Sequence, residues 1–188
     1  QKSPGVHTGY EYSRADNPTR TALEHALESI ENGARGLAFS SGLAAIDCVL
    51  RLLKPNDEVI AMDDLYGGTY RLFTRFYQDL GIKFHFINMN DLELFQSKIN
   101  ANTKLVWIET PTNPLMKLAD IEAIAKITKQ NNILFAVDNT FATPYLQKPL
   151  DLGADIVMHS ATKYLGGHSD VIAGALIIKD EELGKQLH

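Results

Sequence analysis

The chain has 188 residues, 45% hydrophobic and 22% charged, the balance of a globular protein able to bury one sizeable core. Its net charge of -5, without long runs of one sign, argues against nucleic acid as a partner, and no stretch is long and apolar enough for a membrane span. Cys48 is the only cysteine, so no intrachain disulfide can form, and the His159 and His168 pair has no third ligand at a zinc spacing. With no signal-peptide pattern at residues 1–10, a cytoplasmic protein without a metal site is expected.

Residues 1–16 show no clear period, and Gly5, Gly9, Tyr10, Tyr12 and Arg14 read as an extended arm that belongs against another surface. Asn17 and Pro18 then supply an N-cap and a first-turn proline, after which Ala22, Leu23, Ala26, Leu27 and Ile30 recur at helical spacing up to Gly33. Residues 36–40 read as a short buried strand running into Ser41-Gly42, followed by a helix with Leu43, Ala44, Ile46, Leu50 and Leu53 on it. Such a strand, turn and helix offers free backbone N–H groups and a positive helix end to a phosphate, although the same turn serves equally as an ordinary Ser/Gly helix cap. Neither a Walker loop nor a G-x-G-x-x-G fingerprint is present, which weighs against a nucleotide-binding dehydrogenase.

Glu58–Met62 predicts a strand, and Asp63 is expected to open a helix running to Leu80 and closed by Gly81. Tyr66, just after the strand, is either a half-buried anchor or a surface on which a flat ligand stacks. A strand over 82–87, a helix over 92–99 and a strand over 104–108 follow; then come Glu109-Thr-Pro-Thr-Asn-Pro114, whose prolines forbid a helix and fix a loop with Asn113 as a candidate donor. An amphipathic helix over 120–130 leads to a strand over 133–137 that ends in Asp138, Asn139 and Thr140. The apolar run 156–158 is another buried strand, with Ser160, Thr162, Lys163 and a Gly166-Gly167 loop after it. A last strand spans 170–178, and Asp180 starts a helix.

Strands alternating with helices predict an α/β fold, a mostly parallel sheet flanked by helices, with every polar cluster on one sheet edge. That edge is where open α/β sheets bind ligands, and two hydroxyls beside a cation suit a phosphate. Taken alone, Lys163 would as readily open a surface loop. Held there among partly buried groups, it can lose its proton and attack a carbonyl, and Asp138 brings a carboxylate to the same edge.

Several motifs together resemble one family: Tyr-Ser-Arg at 12–14, Asn-Pro-Thr-Arg at 17–20, Ser-Ser-Gly at 40–42, Tyr-Gly-Gly-Thr at 66–69, Pro-Thr-Asn-Pro at 111–114, Asp-Asn-Thr at 138–140 and Ser-Ala-Thr-Lys at 160–163. The chain is similar to the pyridoxal-phosphate (PLP) enzymes of cysteine and methionine metabolism over almost its whole length. The resemblance implies the large cofactor domain of a fold-type I, aspartate aminotransferase-like enzyme at 17–188, with an arm at 1–16 that reaches the partner subunit. It implies that Lys163 forms the Schiff base, that Asp138 pairs with the pyridinium nitrogen and that Tyr66 stacks on the ring and acts as acid or base. Ser41, Gly42, Leu43, Ser160 and Thr162 would hold the phosphate, Asn113 would lie by the ring hydroxyl and Thr140 would support the ring. Tyr12 and Arg14 would reach the neighbouring subunit's phosphate, giving a homodimer with shared sites and, from two dimers, a homotetramer.

The implied activity is cleavage of the Cγ–S bond of cystathionine to cysteine, 2-oxobutanoate and ammonia, with γ-replacement on an O-acylhomoserine as the alternative. Tyr66-Gly-Gly-Thr69 is the form of the cystathionine enzymes, where methionine γ-lyases carry a cysteine after Tyr-Gly. Members of the family are about twice as long and carry the arginine for the substrate α-carboxylate in a C-terminal domain. This chain is therefore expected to be a fragment, and one further reading is a PLP-binding fragment without activity of its own.

Overall fold

The computed structural model describes residues 9–188, so Gly5 of the predicted arm lies outside the described residues. One seven-stranded sheet organises them, in the order β1-β7-β6-β5-β4-β2-β3. The strands are β1 (Arg35–Phe39), β2 (Glu58–Met62), β3 (Lys83–Ile87), β4 (Thr103–Glu109), β5 (Leu134–Asp138), β6 (Ile156–His159) and β7 (Gly174–Ile178). From β3 through β6 all neighbours run parallel, because each connection passes through a helix or a long crossover. β7 is the exception, antiparallel to both β6 and β1, since the loop 160–173 returns the chain without a crossover helix. It is also shorter than predicted, as residues 170–173 belong to no strand. Gly174 opens it where a Cβ would lie 2.1 Å from the Ser41 carbonyl oxygen, so only glycine lets this strand pass beneath the turn after β1.

The helices are α1 (Pro18–Glu31), α2 (Gly42–Leu50), α3 (Gly67–Leu72, continued by a π-helical turn at Phe73–Tyr77), α4 (Leu92–Lys98), α5 (Ile121–Gln130), α6 (Thr143–Leu146) and α7 (Glu181–Leu187). Side-chain oxygens of Asn17, Ser41, Asp91, Asp120 and Asp180 cap α1, α2, α4, α5 and α7. Asp63, read as the opener of α3, is instead paired with Lys117 at 3.0 Å, and the helix begins at Gly67 with no side-chain cap. α1 ends one residue earlier than expected: Asn32, not Gly33, takes the left-handed conformation (φ 59°). Gly33 is needed for a different reason, because a Cβ there would lie 2.2 Å from Ile177 Cγ2.

Alternation along β6 and β7 sets a smaller core apart from the larger one, which takes consecutive residues of β2, β4 and β5. Ile156 and Met158 of β6 join the larger core with Leu37, Ile46, Val49 and Leu50, whereas Val157 joins Ala175, Ile177 and Leu27 of α1. α1 departs from the usual amphipathic helix. Of its apolar stripe only Leu27 is buried, and Ala22, Leu23, Ala26 and Ile30 are exposed, while Glu24 and Glu31 are buried. The glutamates face inward because β1 is an edge strand whose outer amides need acceptors: Glu28 takes the Gly36 N–H at 2.8 Å and Glu24 the Ala38 N–H at 3.0 Å. Glu31 accepts from Asn139 Nδ2 at 2.9 Å and pairs with the buried His159 at 2.5 Å.

Candidate active site

The carboxyl ends of β1, β2, β4, β5 and β6 converge on one edge of the sheet, around a cavity of ≈ 250 Å³. Ten of the twelve residues predicted for the site line it: Ser41, Gly42, Leu43, Tyr66, Asn113, Asp138, Thr140, Ser160, Thr162 and Lys163. Tyr12 and Arg14 do not. Tyr12 is 60% exposed with the Arg14 guanidinium 5.0 Å from its ring centroid, and the segment is pinned by the Arg20 side chain, which donates to the Arg14 and Ala15 carbonyls.

The α2 end of the cavity is an anion cradle. Ser41 Oγ accepts the Ala44 N–H at 3.1 Å and the Ser41 carbonyl the Ala45 N–H at 3.2 Å, which leaves the Gly42 and Leu43 amides as the helix donors without an intrahelical acceptor. Ser160 closes the cradle: a Cβ at Gly42 would lie 2.8 Å from Ser160 Cβ and 3.1 Å from its Oγ. The two hydroxyls expected to share this work are not equivalent. Thr162 Oγ1 donates to the Ala173 carbonyl at 3.1 Å and accepts the Ala173 N–H at 3.0 Å, so it ties the loop 160–173 together and leaves Ser160 as the freer hydroxyl.

Asp138 lines the same cavity from the tip of β5, where it is 5% exposed. Its Oδ1 takes both donors of Thr140, the N–H at 3.0 Å and the hydroxyl at 2.5 Å, and among the described residues Oδ2 takes none. Thr140 Oγ1 in turn accepts the Ser160 N–H at 2.9 Å, which joins β5 to the lysine turn. Burial raises the Asp138 carboxyl above the usual carboxylate range, against the lowering effect of the Thr140 bonds and of nearby His159. A cationic ring N–H at the free oxygen would reverse that burial penalty.

Lys163 departs from expectation. It is exposed at the cavity rather than held among partly buried groups, because the turn after β6, closed by Lys163 N–H to the Ser160 carbonyl at 3.0 Å, carries it outward. Tyr66 is 48% exposed, and its ring folds back over Gly68, where a Cβ would meet Cε1 at 2.3 Å.

Sequence reasoning missed Glu109. It ends β4, pairs in register with Asp138 and is 5% exposed beside the cavity. Burial, and then the Asp138 charge, push its carboxyl up to about 8. Its sequence signal is the same as that of Asp138, a carboxylate closing an apolar strand, but the two prolines that follow mark only a loop. Ile46, Phe141, Met158 and Ile172 complete the apolar wall.

The donor set fits pyridoxal phosphate: a cradle of amides and a hydroxyl for its phosphate, an amine for its aldehyde, and a buried carboxylate with one open oxygen for its ring N–H. Comparison with known proteins agrees. The family described as Cys/Met metabolism PLP-dependent enzyme matches residues 1–188. The chain is 57% identical over 183 residues to the cystathionine gamma-synthase/O-acetylhomoserine (thiol)-lyase of Bacillus subtilis, covering 97% of this chain and 49% of that protein. It is 54% identical to the cystathionine gamma-lyase of the same organism, over 100% of this chain and 50% of the other. The crystal structure of cystathionine gamma-lyase from Lactobacillus plantarum complexed with L-serine superimposes with a TM-score of 0.96 at 47% identity, covering 100% of this chain and 49% of that one. The chain thus spans about half the length of the relatives it matches. It belongs to the PLP-dependent enzyme family of cysteine and methionine metabolism.

Proposed function

We propose that the intact protein is a PLP-dependent carbon–sulfur lyase that cleaves cystathionine at the Cγ–S bond, yielding cysteine, 2-oxobutanoate and ammonia. The observation that carries the cofactor chemistry is the convergence of Lys163, the open oxygen of Asp138 and the Gly42-Ser160 cradle on one cavity, and relatives named as cystathionine gamma-lyases support the Cγ–S bond as the one cut. Bound there, pyridoxal phosphate supplies an aldehyde for the substrate amine and a ring that takes up negative charge from Cα. Lys163 is the amine that would hold the cofactor's aldehyde end, and its free amine would be the base that takes the Cα proton and carries it within the site. Asp138, its Oδ1 fixed by Thr140, would hold the ring N–H and keep it protonated. The Gly42 and Leu43 amides and Ser160 would bind the phosphate, Asn113 would serve the ring hydroxyl, and Tyr66 would stack on the ring and exchange a proton with the departing sulfur.

Residues 17–188 form the cofactor domain in this reading, and the arm before them acts across a subunit boundary. The exposure of Tyr12 and Arg14 away from their own chain's cavity supports that assignment, as does the fork of donors that Arg14 offers to a phosphate. The protein is then a homodimer with shared sites, paired into a homotetramer. Relatives named as γ-synthases support γ-replacement as the second reading. Supplying the intact protein with cystathionine, and separately with O-acetylhomoserine or O-succinylhomoserine plus cysteine, decides between them. The lyase reading expects 2-oxobutanoate from cystathionine. Rapid cystathionine formation with little cleavage would overturn it, and pyruvate in place of 2-oxobutanoate would move the cut to Cβ.

A further inference from the structure

We infer that Glu109 is the positioning residue that locks the loop bearing Tyr66 to the loop bearing Asn113, and so sets the spacing of the groups above and beside the ring. The inference rests on the reading of this cavity as the cofactor site. Glu109 Oε2 accepts the Tyr66 N–H at 2.9 Å, and Oε1 accepts the Asn113 N–H at 2.7 Å. These amides lie in different connections, the one after β2 and the one after β4; Asp64, which accepts from Thr112 and Leu115, and the Asp63–Lys117 pair join the same connections nearby, but among the described residues only Glu109 takes the amides of Tyr66 and Asn113 themselves. Among the described residues neither the Tyr66 hydroxyl nor the Asn113 amide side chain is hydrogen-bonded, so their placement comes through the backbone that Glu109 holds.

Glu109 sits opposite Asp138 in the β4–β5 register, and two buried acids side by side are costly; a structural tether would sooner be an amide. A carboxyl group, however, offers two acceptor oxygens and no amide hydrogens, whereas glutamine offers one acceptor, aspartate is a methylene too short for both loops, and alanine offers none. The tolerated crowding is explained if both acceptors are required at once.

The test uses the intact protein as wild type, Glu109→Ala and Glu109→Gln, freed of cofactor. Hydrogen exchange is followed at the Tyr66 and Asn113 amides, and pyridoxal phosphate is titrated by absorbance. In Glu109→Ala both amides should exchange at least about tenfold faster while β4 and β5 keep wild-type protection, and the pyridoxal phosphate dissociation constant should rise about tenfold or more. In Glu109→Gln one amide should loosen and the other stay protected, with an intermediate constant; this isosteric variant decides the matter if alanine is not tolerated. Unchanged exchange at both amides in a folded variant overturns the inference, and so do loosened amides with an unchanged dissociation constant. Wild-type protein that takes up no pyridoxal phosphate would instead refute the reading of the cavity, and amide exchange would still decide whether Glu109 joins the loops.

Discussion

Replacing Gly68 by alanine tests the site where its geometry is tightest. The new Cβ would stand 2.3 Å from Tyr66 Cε1, 2.9 Å from Cζ and 3.0 Å from Cδ1, so the ring must withdraw by about 1.2 Å to reach ordinary carbon contact near 3.5 Å. Withdrawal costs the fold little, because the ring is 48% exposed and its hydroxyl has no hydrogen bond among the described residues. Gly68 lies in the first turn of α3, where alanine is better than glycine by roughly 0.5–1 kcal/mol. Stability without cofactor should therefore change by less than about 1 kcal/mol in either direction. Cofactor binding should suffer, since an aromatic stacking contact is worth about 0.5–1.5 kcal/mol, or about twofold to twelvefold in affinity. Urea unfolding of cofactor-free protein, paired with a pyridoxal phosphate titration, separates the two effects. A folded variant with wild-type affinity would refute the placement of Tyr66 on the ring, and a loss of several kcal/mol in stability would refute the claim that the ring is free to move.

Asp138→Asn should leave pyridoxal phosphate bound but lower turnover by at least about a hundredfold, because an amide cannot stabilise a protonated ring nitrogen; an unchanged rate would remove Asp138 from that role. Mixing Arg14→Ala chains with Lys163→Ala chains should restore part of the activity in verified mixed dimers, and none recovered would count against shared sites. Stability of the cofactor-free protein should fall with pH through Glu109. Its folded carboxyl titrates at about 8, above the unfolded value of 4.5, so the folded state holds the extra proton between those values. The contribution is fully present below pH 4.5 and is lost as pH rises to 8, at up to about 1.4 kcal/mol per pH unit; Glu109→Gln should flatten that slope, and an identical slope in the variant would refute the assignment.

Much of this was legible in the sequence, for local reasons. The strand ending at Asp138, the Ser41-Gly42 turn and the capped helices are written in short-range patterns, and the structure brings Asp138, Ser41, Gly42 and, on the turn after β6, Lys163 to one cavity as the alternation of strands and helices implied. What escaped depends on pairing between distant segments. The inward glutamates of α1 make sense only once β1 is an edge strand with amides to satisfy, and the exposed Ala22, Leu23, Ala26 and Ile30 carry the helical period without marking the buried face. β7 reads as an ordinary last strand; its reversed direction follows from a loop 160–173 that lacks a helix. Glu109 acquires its importance from the Tyr66 amide, 43 residues away, which it takes together with that of Asn113 in its own loop, and from its register with Asp138.

Everything proposed for the site turns on Lys163 as the amine that receives pyridoxal phosphate. Incubation of the intact protein with pyridoxal phosphate, reduction with borohydride and peptide mapping by mass spectrometry test that directly. The reduced cofactor should sit on the peptide containing Lys163, and Lys163→Ala should carry none there or elsewhere in comparable yield. A label on another lysine with Lys163 unmodified, or an undiminished label in Lys163→Ala, would contradict the assignment.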